Sequence, residues 1–297
     1  MIMPFLTLVA AAQATPVPAQ APATPPAAPP AQLPSSDLPG DWKPIPADEL
    51  MVIALAGNRV VVIRLAPRLA PEHVANVRAL ASAHWWDATS VYRVQENWVT
   101  QWGDATEKKP LPDTIKKLPA AEYDVAALPL AQHLTRHDAY SLLDGVTADG
   151  WPIASDGTKA WLPHCYGTVG VARDAAPDTG TGAELFTPIS GAARRLDRAY
   201  TIVGRIIEGM KYLSAMARSD AEMGVYATEG ERTDIVSVRL ASDLPEAERP
   251  KFEYRSTDNE RFAAYIKLRE NPPAPSVSLG GIDICDLPLR VRRIGAK

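Results

Sequence analysis

The patterned part of the chain opens with two runs of apolar, β-branched residues. Met51–Leu55 and Arg59–Leu65 predict strands, and Ala56-Gly57-Asn58 between them suits a tight hairpin turn. After Pro67 the period changes. Val74, Val77 and Leu80 fall on one face of a helix entered at Pro71, where proline is tolerated because the first-turn N–H has no partner to lose. Ser90–Asp104 returns to strand chemistry, broken at the turn-forming pair Glu96-Asn97. Gly167–Arg173 predicts another strand, followed by a loop of small residues from Asp174 to Ala183 and the short run Glu184-Leu185-Phe186. Met210, Leu213 and Met216 share a helical spacing after Gly209, and Ile235–Leu240 alternates like a closing strand.

Three stretches break this rhythm. Thr15–Pro39 is almost wholly Ala, Pro, Gln and Ser, too poor in bulky apolar groups to offset the entropy of ordering, and the reading is a disordered tether over 15–47 with the fold starting near Asp48. Ala105–His164 is rich in Pro and polar residues and reads as an insertion packed on the surface of the domain spanning 48–242. Beyond Ser242 an extension (243–297) carries an amphipathic helix over Glu260–Glu270, through Phe262, Tyr265 and Leu268, and a strand-like tail from Ile282 to Ile294. Before the tether, the apolar run Pro4–Ala12 and the small residues Ala12-Gln13-Ala14 match the core and cleavage site of a secretory signal (1–14), although no Lys or Arg precedes it. The expectation is a periplasmic or otherwise exported protein.

Charge and cysteine content narrow the function classes. A net charge of −4 argues against a general nucleic-acid binder, which needs a basic face, and leaves Arg194-Arg195 and the Arg290, Arg292, Arg293 tail as solvated surface. Outside the leader nothing approaches the ~18 apolar residues of a membrane span. Cys165 and Cys285 either pair in an oxidising compartment or stay as two buried thiols, and spacing does not decide between them. His133 and His137 lie four apart, but no carboxylate or cysteine pattern surrounds them, so no metal site is assigned.

The chemistry concentrates in Ser90–Asp104, where Arg93, Trp98 and Gln101 offer a cation, a flat apolar body and an amide. This run resembles the signature of the cyclophilin-type peptidyl-prolyl isomerases, F-H-R-x-I-x-x-F-M-x-Q-x-G-D: Arg93, Gln101, Gly103 and Asp104 match, with Tyr92 for His, Trp98 for Phe, Val99 for Met and Trp102 for a frequent Gly. Pro71 and Asn76 match the family's P-x-x-x-x-N-F. Ala172, Pro177, Thr179, Gly182 and Phe186 follow M-A-N-x-G-P-N-T-N-G-S-Q-F-F with two insertions, Arg173 and Glu184 replacing Asn and Gln. Leu196, Asp197, Gly204, Gly209 and Met210 match W-L-D-x-x-H-x-V-F-G-x-V-x-x-G-M, with Arg195 for Trp and Tyr200 for His.

The resemblance implies a mainly β fold, a closed antiparallel β-barrel capped by two helices, here with a long insertion and a C-terminal extension. It implies isomerisation of X-Pro bonds in proline-containing polypeptides by a monomer without cofactor. In that reading Arg93 and Gln101 are catalytic, Trp98, Val99, Phe186 and Leu196 line a proline pocket, and Ala172 and Arg173 contact the residues before proline, with Glu184 and Tyr200 beside them. Glu184 is expected to compete for Arg93, and Trp102 to crowd a place where backbone usually lies close. These departures keep a second reading open, a barrel that binds proline-containing segments without useful turnover.

Overall fold

The computed structural model describes residues 38–295; the expected leader and the tether up to residue 37 lie outside the described residues. Ordered structure starts before Asp48, because Trp42 in strand β1 (Trp42–Pro44) and the following Ile45 are bulky enough to bury. Strands β2 (Leu50–Leu55) and β3 (Arg59–Leu65) form the expected hairpin. Gly57 and Asn58 sit in its turn at φ of 79° and 56°, a conformation those two residue types adopt most readily. Helix α1 (Pro71–Ser82) begins on its proline and buries Val74, Val77 and Leu80.

Strands β4 (Thr89–Val94) and β5 (Val99–Gly103) are the two halves of the central hairpin. The insertion is more regular than its composition suggested. Short strands β6 (Val125–Ala126), β7 (Gln132–His133), β8 (Leu143–Val146), β9 (Pro152–Ser155) and β10 (Lys159–Trp161) make an antiparallel sheet in the order β6-β10-β9-β8-β7. Trp151, Ile153, Ala160 and Leu162 pack it against Ala66, Leu69 and Ile202 on the outside of the main barrel. His133 lies in β7 and His137 in the loop after it, so the helical pair does not form. Among the described residues no cluster of three or more His, Cys, Asp or Glu is arranged to hold a metal.

Strands β11 (Thr168–Val171), β12 (Leu185–Pro188), β13 (Ile202–Glu208) and β14 (Thr233–Leu240), with helix α2 (Met210–Ser214), complete the expected closed antiparallel barrel, ordered β11-β12-β5-β4-β14-β2-β3-β13. Its interior is filled by inward-facing residues such as Met51, Ile63, Val91, Trp102, Leu185 and Val203, and α1 and α2 close it with Leu80 and Leu213. Met216 lies beyond the end of α2 but is buried all the same.

The extension adds β15 (Phe252–Arg255), α3 (Glu260–Glu270) and β16 (Val291–Arg293). β15 pairs with β1 on one side and β16 on the other, so the two ends of the described chain share a sheet. Phe262 and Ile266 of α3 pack on Leu134 and Val146 of the insertion and on Ile284 and Leu287. Cys165 and Cys285 are joined in a disulfide that ties this layer to the barrel. The arginines expected on open surface are largely engaged. Arg194 is 4% exposed and ion-paired with Asp197 and Asp138, while Arg292 lies over the Trp42 ring at 4.2 Å and Arg293 over Phe252 at 4.8 Å. Among the described residues no helix is long and apolar enough to cross a membrane.

Candidate active site

Register decides which side chains meet. Across β4, β5, β12 and β11 the cross-strand partners Val91, Trp102, Leu185 and Val171 form one row, and all four belong to the barrel core. The next row is Arg93, Gln101, Phe186 and Gly170, on the opposite face because side chains alternate along a strand. Gln101 therefore stands between Arg93 and Phe186, whose backbones are two strands, ~10 Å, apart. The expected crowding by Trp102 does not occur, since its indole enters the barrel. The pairing slips between Val91 and Arg93, which leaves Tyr92 as the extra residue of a bulge. Both Tyr92 and Arg93 reach Gln101 as a result.

The polar half is a connected chain of hydrogen bonds. Arg93 donates from one terminal nitrogen to Gln101 Oε1 (3.0 Å), from the other to Gln95 Oε1 (2.7 Å), and from Nε to the Met223 carbonyl (2.7 Å). Gln101 Nε2 donates to the Tyr92 hydroxyl (2.5 Å), which donates to Glu184 Oε2 (2.8 Å); Glu184 Oε1 accepts from the Asp104 N–H (2.8 Å). Gly103 has a φ of 152°, which side chains rarely adopt, and the carboxylate of Glu184 occupies the space a Cβ there would need, 2.0 Å away. Glu184 thus bonds to Tyr92 and Asp104 rather than competing for Arg93, because the bulge puts Tyr92 between them.

Burial pushes the Glu184 carboxyl up to about 7, helped by the Asp104 and Glu107 carboxylates and opposed by its two hydrogen bonds. Burial, then the neighbouring Glu184, pushes the Tyr92 hydroxyl far above its ordinary range, so Tyr92 stays a neutral donor. Burial lowers the Arg93 pKa, yet a guanidinium starts so high that it keeps its charge.

On the apolar side, the Phe186 ring lies over Gly170, where a Cβ would come within 2.4 Å of it. Phe186 is flanked by the buried His164 ring (6.1 Å, interplanar 9°) and edge-on by Tyr200 (5.7 Å). Asp197 holds His164 in place, accepting from its backbone N–H at 2.8 Å with Nδ1 at 3.2 Å, and also accepts from Trp161 Nε1 and Arg194 Nε. Burial alone would raise the Asp197 pKa; the bond to His164 and the charge of Arg194 bring it below the usual value. Val99 is buried opposite Pro188, and half-buried Leu196 ends the short helical turn before Asp197. Trp98 is half-buried, with the Arg195 guanidinium 4.1 Å from its ring centroid. Ala172 donates its N–H to the Glu184 carbonyl (2.9 Å), and Arg173 folds over the Tyr200 ring at 4.7 Å while bonding to the Ala199 carbonyl.

A family model described as "Cyclophilin type peptidyl-prolyl cis-trans isomerase/CLD" matches residues 50–239. The chain belongs to the cyclophilin family. The match runs from the start of β2 to within one residue of the end of β14, and so spans the barrel and the insertion. Among solved structures, the cyclophilin AquaCyp293 from Hirschia baltica is 25% identical with a TM-score of 0.63, over 78% of this chain and 88% of that one. A cyclophilin type isomerase from Cryptosporidium parvum, solved in the presence of the dipeptide Ala-Pro, is 13% identical with a TM-score of 0.41 over 64% of this chain. No curated protein matches the chain significantly.

In this cyclophilin the sequence-derived residues fall into two groups. Arg93, Val99, Gln101 and Phe186 lie on one face of three adjacent strands, with Glu184 just before the third and Tyr200 joining them through Phe186. Trp98, Ala172, Arg173 and Leu196 come from the flanking loops and the short turn. Sequence reasoning missed His164 and Asp197 as supports of Phe186, and Arg195 as the cap on Trp98. The adjacent Leu196-Asp197 match was the available signal for the second; nothing local pointed to His164. A cavity of about 740 Å³, lined by Lys43, Glu49, Arg64, Asp149 and Tyr254, shares no lining residue with this cyclophilin row.

Proposed function

We propose that the chain is an exported peptidyl-prolyl isomerase that speeds rotation about X-Pro bonds while other exported proteins fold. The observation that carries this reading is the single outward row of Arg93, Gln101 and Phe186: a permanent cation bonded to the amide that stands between it and a buried aromatic ring. A prolyl imide resists rotation because nitrogen shares its lone pair with the carbonyl, a barrier of ~18–20 kcal/mol. Twisting localises that lone pair, and a donor placed against it favours the twisted form over both planar isomers. Arg93 has five N–H groups, of which three are engaged among the described residues, so two remain for a ligand. Phe186, Val99 and Leu196 would hold the pyrrolidine ring, and neither nucleophile nor cofactor is needed. The apolar run before Ala14, the tether and the disulfide together support the exported setting.

One observation favours the alternative of a binding module with little turnover. Phe186 is only 4% exposed, between His164 and Tyr200, and Trp98 already carries Arg195, so little apolar surface stands open to a proline ring. Exchange spectroscopy on blocked X-Pro peptides separates the two. The isomerase reading expects acceleration by the wild type and a kcat/KM lower by roughly 10- to 100-fold in Arg93→Ala, the loss of one charge-assisted hydrogen bond. Wild type that accelerates no peptide while still binding them leaves the module.

A further inference from the structure

We propose that Glu184 is a positioning residue for the isomerase reaction, the terminal acceptor that sets the direction of hydrogen bonding through Tyr92 and Gln101 and so fixes the guanidinium of Arg93. The proposal rests on the isomerase reading of the site and adds to it a proton-controlled device that the Arg–Gln pair alone does not contain.

The direction follows from which groups can only donate. A guanidinium has no acceptor, so the Gln101 atom facing Arg93 at 3.0 Å is the carbonyl oxygen. The Gln101 amide NH₂ then faces Tyr92, whose oxygen must accept. The Tyr92 hydrogen is left to point at Glu184 Oε2, 2.8 Å away, and that oxygen is an unconditional acceptor only when the carboxyl is ionised. Because Oε1 already accepts from the Asp104 N–H, an added proton goes to Oε2, facing Tyr92. Two hydrogens then meet in one contact. Relief comes if Tyr92 turns its hydrogen towards Gln101, which in turn must rotate its amide and present NH₂ to Arg93, donor against donor. Protonation at one end therefore unfastens the guanidinium at the other.

The groups facing Glu184 come from two places. Tyr92 lies on β4, Asp104 and Glu107 follow β5, and both of those carboxylates favour the protonated form; Arg93 touches it only through the chain. Rotation within the chain is restricted by the close fit of the carboxylate on Gly103 and by the bulge that seats Tyr92. Arg93 keeps the Gln95 and Met223 acceptors within reach, so the loss on protonation is partial, but a guanidinium released at Gln101 turns more freely about them and its Nε–H exchanges faster with water.

The test is kcat/KM by exchange spectroscopy on a blocked X-Pro peptide without titrating groups, from pH 5.5 to 8.5, for wild type, Glu184→Gln and Tyr92→Phe. The same samples report the ¹³C shift of the Glu184 carboxyl and the line width of the Arg93 Nε–H signal. The wild type is expected to gain roughly three- to tenfold in kcat/KM as pH rises through neutrality, with the Nε–H signal sharpening over the same range. Both variants are expected to be flat, while Glu184 still titrates in Tyr92→Phe. A flat wild-type profile, or a step that survives in Tyr92→Phe, overturns the proposal, the second because the charge would then act through space. Wild type inactive at every pH defeats the isomerase reading instead, and the Nε–H signal alone then decides whether the chain positions Arg93.

Discussion

His164 stacks on Phe186 with the two rings 9° from parallel, and the next residue in the chain, Cys165, is bonded to Cys285 in the C-terminal extension. The layer added to the barrel is thereby fastened one residue away from the ring that backs Phe186. His164→Ala is expected to cost about 2–3 kcal/mol, because it removes a buried ring and leaves Asp197 with fewer partners. It is also expected to lower kcat/KM for X-Pro peptides, since Phe186 loses the surface behind it. Urea unfolding and exchange spectroscopy on the variant check both, and a neutral result in the two measurements would remove His164 from the site.

The disulfide closes a loop with a sequence separation of 120. Loop-closure entropy puts its contribution at about 4–5 kcal/mol as an upper figure. Replacing Cys165 and Cys285 together by Ser is expected to lower the melting temperature by roughly 10 °C or more. Cleavage by a protease added under native conditions should move into α3 and the segment after it first, because these hold to the rest through the small cluster around Phe262 and Ile266, whereas β15 is anchored by Phe252 packed with Leu50 and Val62 of the barrel. A melting temperature unchanged by the double substitution would show that this contact layer is sufficient by itself.

Arg195 over Trp98 occupies a face that would otherwise be apolar and half open. Arg195→Ala is expected to cost about 0.5–1 kcal/mol of stability, the size of an exposed cation–π contact. If Trp98 belongs to the proline pocket, the same change should tighten peptide binding by about two- to fivefold, measured by calorimetry. Weaker binding to a peptide with an acidic residue near its proline would instead make Arg195 a reader of substrate charge.

How far the sequence carries can be followed residue by residue. The hairpin turn at Gly57-Asn58, the proline-led α1 and the alternation of β14 are local, and periodicity with turn chemistry finds them. The spacing of Arg93 and Gln101 is also local, eight residues across one hairpin. Failures begin where contacts are distant. The bulge at Tyr92 is set by pairing, and without it Glu184 looked free to meet Arg93. Trp102 looked obstructive because a side chain's face follows register rather than residue type. The sheet in the insertion is built of two- to four-residue strands, too short to show a period, and Arg194 is buried because Asp138 comes to it from the insertion to join the neighbouring Asp197.

Glu184 also makes a prediction about stability, and its sign is opposite to that of an ordinary ion-paired carboxylate. Its folded-state pKa is raised by burial from the ordinary 4.5 to about 7, so between those values the folded chain binds more protons than the unfolded one. Stability from this group is therefore present below about pH 4.5 and lost as pH rises towards and through 7. A difference of about 2.5 pH units corresponds to roughly 3 kcal/mol. Asp197 has the reverse sign, its lowered pKa giving stability at neutral pH that disappears in acid. Taking the difference between Glu184→Gln and wild type at each pH cancels Asp197 and every other group. That difference is expected to shift in favour of the variant by about 2–3 kcal/mol between pH 5 and 8, read from urea midpoints. The pH range that weakens the fold is the one in which an ionised Glu184 would hold Arg93 in position, so stability is given up at the residue that orders the site. A difference independent of pH would mean that Glu184 ionises as readily in the folded chain as in water.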